Sequence, residues 1–173
     1  MTTTYDFGNV PVPAHRHLNP DGSLGGWVAD TATVAPTAWI GKSVRVFGNA
    51  KVSDDAKVSD DAQVSGNAGV FGNAKVSGNA KVFGGAKVSG NAQVSDNAEV
   101  FDNAKVYGNA EVCGNARVLG DAVVSGHAVV SGGAMVYGDA KVSGNAQVSD
   151  NAEVFGHAKV FGNEWVSGES VLV

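Results

Sequence analysis

Between Val46 and Val166 a valine occupies every sixth position, and from Ala50 to Ala158 an alanine follows each valine four residues later. The unit reads Val-x-x-x-Ala-x, as in Val76-Ser77-Gly78-Asn79-Ala80-Lys81. Ile40, Val34 and Val28 carry the series backwards, and Leu172 ends it. An amphipathic helix would bring its apolar residues round every three to four positions, and a long strand every second one. Neither period fits. Self-similarity at a short fixed interval predicts a solenoid, in which each coil buries its inner residues against its neighbours.

The polar positions add corners to this picture. Three residues after each valine, from Asn49 to Asn163, stands Asn, Asp, Gly or His. These residue types tolerate a left-handed backbone, so a left-handed corner is predicted at that position. The residue before it is nearly always Gly or Asp, which suits a tight turn, and the β-branched valine sits mid-way along a short extended stretch. One side of a polygon per repeat follows.

On these residues the chain resembles the hexapeptide-repeat family over roughly residues 27–172. The resemblance implies an all-β, left-handed parallel β-helix solenoid of triangular section with three repeats per coil, hence about eight coils. It also implies trimers packed side by side. Very regular forms of the repeat are similar to proteins of unassigned role in bacteria and their phages, which implies a bacterial or phage origin.

Taken three repeats at a time, the outward residues sort into three faces. The residues following the valines of face one are Phe47, Ser65, Phe83, Phe101, Leu119, Tyr137 and Phe155, an apolar ladder. The second face carries a mixed column that includes Phe71, Tyr107 and Phe161. The third holds Gly41, Cys113 and serines. Before the valines of face two stand Lys51, Lys87, Lys105, Lys141 and Lys159, interrupted by Gly69 and Val123. Contiguous apolar surface marks association, so Phe47, Phe83, Phe101, Leu119, Tyr137 and Phe155 are the expected oligomer interface. The competing reading is that the same rings stack along the face and need no partner. If prisms pack in parallel, a small anionic ligand is expected in the grooves between subunits, near Lys87, Lys105 and Lys141.

Residues 1–26 lie outside the repeat and read as a cap over the open sheet edges, with Asn19-Pro20-Asp21-Gly22 as a turn; residues 27–173 form the β-helix. Alanine gives way to Glu164 and Ser170 at the other end, where Glu164 and Trp165 are expected to form a second cap.

Composition narrows the chemistry. The net charge of -5 argues against a nucleic-acid surface, and no apolar run approaches the length needed to span a bilayer. The start of the chain lacks a basic stretch followed by an apolar one, and the single Cys113 excludes an internal disulfide, so a cytoplasmic location is expected. His127 and His157 occupy corner positions that explain them without catalysis. His15 and His17 alternate in the cap, but two ligands are too few for a zinc site, and the aspartates lack the spacing of a calcium-binding repeat. No metal or other cofactor is expected.

The resemblance brings two enzyme classes with it, acyltransferases and a zinc carbonic anhydrase. Acyltransferases of this kind usually interrupt the helix with a loop beside a catalytic histidine, and no insertion breaks residues 28–172; the anhydrase arrangement needs three histidines, two of them close in sequence. The serine face lacks the paired threonines of ice-binding solenoids, because its companion column holds Lys57, Lys75, Gln93 and Glu111. The expected function is a non-enzymatic structural or binding protein, a rigid self-associating rod. The alternative is an acyltransferase with its site between subunits, using His127 or His157.

Overall fold

A computed structural model describes residues 3–8 and 10–173. Three longer strands, β1 (Thr4–Asp6), β2 (Pro11–Leu18) and β3 (Leu24–Ala29), precede a series of two-residue strands, one every six residues, from β4 (Thr33–Val34) and β5 (Trp39–Ile40) through to β25 (Lys159–Val160), β26 (Trp165–Val166) and β27 (Val171–Leu172). No helix occurs among the described residues. Each short strand pairs in parallel with the strand three places on, so Val52 faces Val70, Val76 faces Val94, and Val100 faces Val118. Three parallel stacks result, and the coils number about eight. This is an all-β solenoid.

The six-residue period follows from what each position must do. A valine, or Ile40 in β5, points inward from the short strands and an alanine, or Val44 in the first coil, inward from the corners, and from Ala38 to Val154 this core is fully buried. Alanine suits the repeated corner because the interior is packed as closely as a crystal and three valines per coil already fill it, although in the first coil the larger Val44 takes that place and is also fully buried. Every coil repeats the same hydrogen bonds to the next; Lys75, Ser77 and Asn79, for example, donate their N–H groups to the carbonyls of Ala92, Val94 and Asp96 at 2.9, 2.9 and 2.6 Å.

The corners differ from expectation in one respect. The left-handed residue is not the Asn or His but the Gly or Asp before it. Gly78 has φ 68° and Asp96 has φ 61°, and no Asn or His has a positive φ among the described residues. The turn closes with the alanine N–H donating to the residue after the valine, as from Ala80 to Ser77 at 3.3 Å. Stacking decides which residue takes the unusual conformation. A Cβ on Gly78 would lie 2.8 Å from the backbone nitrogen of Asp96 one coil on, so at this corner consecutive coils leave no room for an outward-tilted side chain. The residue after it keeps an ordinary backbone, continues the ladder through its N–H and turns its side chain outward.

Aspartate at this strained position does something glycine cannot. The Oδ2 atoms of Asp54, Asp60, Asp96, Asp102 and Asp150 each accept the N–H of the glycine one coil later, Gly72, Gly78, Gly114, Gly120 and Gly168, at 2.9–3.2 Å. The next position carries amide ladders along the corners, with Asn79 donating to Asn97 at 3.1 Å and Asn97 to Asn115 at 3.2 Å.

The two ends are unlike. β2 runs antiparallel to both β1 and β3, and β3 pairs on its other side with β6 (Arg45–Val46), so the cap continues the face-one sheet. Asn19 is buried and plugs the first coil of face three: its side-chain amide donates to the Ile40 carbonyl at 3.1 Å while its carbonyl accepts the Ile40 N–H at 2.8 Å. Buried His17 bonds the Ala38 carbonyl at 3.0 Å. At the C-terminal end β25, β26 and β27 are the last strands of their sheets. The expected second cap does not form there. Trp165 is 71% exposed, because the residue before a valine points along the outer face and not over the end, and the Glu164 carboxylate accepts the N–H of Phe161 in its own turn.

Candidate functional site

With the interior filled by valine and alanine, any site must lie on the faces or corners. Face one carries its aromatics in register. Phe83 and Phe101 stack at 4.8 Å with their planes 3° apart, and Tyr137 and Phe155 at 4.8 Å and 6°. Leu119 lies between the two pairs, and all five side chains stay half-buried. Phe47 is set apart from them: Ser65 interrupts the column, and Phe7 of the cap stacks on Phe47 at 5.0 Å.

Beside this ladder the charges alternate. Lys81 bonds Glu99 at 3.1 Å, Arg117 approaches the other oxygen of Glu99 at 3.5 Å, and the Arg117 guanidinium lies 5.2 Å from the Phe101 ring centre. The Tyr137 hydroxyl donates to Glu153 at 3.1 Å. Partial burial, then the bond to Glu153 and its charge, push the Tyr137 phenol up from its ordinary value, so the ring stays neutral and a donor. Both readings of the aromatic column thus have a structural basis: the rings stabilise one another within the chain, and they still present apolar surface.

Face two is different. Lys87 faces Lys105 directly, and Lys141 faces Lys159, all exposed. Gly69 interrupts the column because the Phe71 ring folds over it, where a Cβ would come within 3.2 Å of the ring.

The histidines are not brought together. His127 ends an amide ladder, 3.5 Å from the Asn109 amide nitrogen, and His157 lies 3.5 Å from Asp139 on another corner with its side chain 90% exposed. His15 pairs with Asp30 at 2.9 Å while His17 is buried against the first coil. Among the described residues no group of three or more His, Cys, Asp or Glu is placed to hold a metal ion. Burial, then the charges of Glu111 and Asp96, push the Cys113 thiol up, which leaves little thiolate for nucleophilic chemistry.

Residues 110–126, just under one coil, match the family described as the YdcK beta solenoid repeat. That segment contains one complete inner Val–Ala pattern, from Ala110 through Val112, Ala116, Val118, Ala122 and Val124, and its strands take their places in all three stacks. The chain is a β-solenoid repeat protein. No curated protein matches it. In this solenoid the sequence pattern located the faces correctly but missed two structural features, the Asn19 plug and the aspartate clips. Asn19 read only as a turn residue. The aspartate clips left a signal in spacing: eighteen residues after each left-handed Asp stands a Gly, never a second Asp.

Proposed function

We propose that this solenoid is a non-enzymatic structural or binding protein, a rigid, left-handed triangular rod that self-associates side by side through face one, as a trimer. The observation that carries this reading is the half-buried strip of Phe83, Phe101, Leu119, Tyr137 and Phe155, ranged along a flat face in a single chain. Burying a side chain of this size contributes roughly 1.5–3 kcal/mol, and several in register outweigh the loss of freedom on association when the partner surface is complementary. The resemblance to hexapeptide-repeat proteins supports the trimer. Assembly in parallel would set the exposed Lys87, Lys105 and Lys141 beside a groove suited to a small anion.

Sedimentation tests the proposal. The wild type should run as an oligomer at micromolar concentration, and Phe101→Lys combined with Tyr137→Lys should yield folded monomers. Ser95→Lys on face three should leave assembly nearly intact. A monomeric wild type, or dissociation by the face-three change alone, would overturn it.

A further inference from the structure

The N-terminal third of face three holds a group of outward side chains, most of which make no hydrogen bond or ion pair within the fold. Trp39, Lys57, Lys75 and Gln93 form one outward column, with Trp39 paired to Lys57, Lys57 to Lys75, and Lys75 to Gln93. Beside them runs the small column Gly41, Ser59 and Ser77. The Trp39 indole leans over Gly41, where a Cβ would lie 3.3 Å from its Cζ3 atom. Gly41 thus lets the ring lie down across the face toward the serines. A groove of about 390 Å³ results, lined by Trp39, Lys57, Ser59, Lys75, Ser77 and Gln93.

The lysines of this groove are not ion-paired. On face one the equivalent column neutralises Lys81 and Arg117 with Glu99 between them. On face three Lys57 and Lys75 stack directly, and among the described residues neither ammonium makes an ion pair or hydrogen bond, nor does the Trp39 indole N–H. Face two also stacks lysines, as at Lys87 and Lys105, and there the Phe71 ring folds over Gly69 beside Lys87, but that ring is a phenyl, smaller than an indole and without an N–H donor. A second cleft of about 490 Å³ on the other side of Trp39, Lys57 and Lys75 is lined by Asp21 and Asp55, and Glu111 follows Gln93 in the column. Acids therefore bound the positive zone on two sides, which suits a short ligand with one or two negative charges and opposes a long polyanion.

We propose that this groove binds an acidic sugar, a pyranose unit bearing a carboxylate, within a short oligosaccharide. The indole offers an apolar surface for the C–H face of a ring, the two ammonium groups take the carboxylate through charge-assisted bonds, Ser77 and Gln93 supply donors and acceptors for ring hydroxyls, and Ser59, whose hydroxyl donates to Asp60 at 3.2 Å, supplies an acceptor. This does not rest on the self-association proposed above, because the strip lies on another face.

The test is titration of the whole chain with a galacturonate trisaccharide, followed by the indole N–H signals of Trp27, Trp39 and Trp165 in heteronuclear NMR. The Trp39 signal should move saturably. The methyl-esterified trisaccharide, which lacks the charge, should bind at least ten-fold more weakly, and so should Lys57→Gln combined with Lys75→Gln. Lys87→Gln combined with Lys105→Gln on face two should bind as the wild type does. A static Trp39 signal at millimolar sugar overturns the proposal. So does equal binding of the ester, equal loss in the face-two variant, or inorganic phosphate competing as tightly as the sugar binds, which would mark a simple anion site.

Discussion

At the scale of single residues, the corner position two after each valine is constrained twice over, by its left-handed backbone and by the coil that follows. A left-handed backbone disfavours any side chain by roughly 1–2 kcal/mol, and contact with the next coil adds to that penalty. Two glycines separate the effects. Gly78 has φ 68° with the Asp96 backbone 2.8 Å from its virtual Cβ, whereas Gly162 has φ 66° and nothing within 4 Å. Gly162→Ala should therefore lower stability by about 1 kcal/mol, the conformational part alone, and Gly78→Ala by clearly more. Chemical denaturation of both variants measures the difference, and equal losses would show that the coils give way without penalty. Inside the prism, Val100→Asp would bury an unpaired carboxylate among fully buried valines and should cost several kcal/mol. Val171 points outward from β27 and is 59% exposed, so Val171→Asp should be mild by the same measurement.

Two-residue strands have no stability of their own, so at the scale of elements each depends on strands above and below. The ends decide how that chain of support is closed. At the first coil Asn19 provides both a donor and an acceptor to Ile40, in effect standing in for a missing strand. Asn19→Leu keeps the bulk but leaves the Ile40 N–H and C=O buried without partners, and should lower stability by about 1–3 kcal/mol. Hydrogen exchange at the Ile40 amide should rise before exchange in coils at the middle of the rod. Unchanged protection there would show that the cap acts through its strands alone. At the other end Phe161 and Trp165 stay exposed, and fraying should begin at that end.

Across the whole molecule, the outer faces carry different chemistry on one scaffold. Face one joins aromatic stacks to an alternating charge ladder, face two stacks lysines, and face three pairs a serine column with Trp39, Lys57 and Lys75. The scaffold tolerates this because outward residues do not enter the valine and alanine core, so a face can change without changing the coil.

The strand positions, the buried core and the content of each face were legible in the sequence, because a six-residue period leaves only one inward set, and eighteen-residue spacing then sorts the outward residues. The resemblance to hexapeptide-repeat proteins supplied the three repeats per coil, and the register of Val100 on Val118 bears that out. The tertiary structure decided where the corner becomes left-handed, since this depends on how closely one coil's backbone approaches the next, a distance between residues eighteen apart. It likewise decided that Asn19 closes the first coil, that Phe7 covers Phe47, and that Trp39 lies over Gly41 beside two unpaired lysines. None of these repeats along the chain, and a contact made once leaves no period to read.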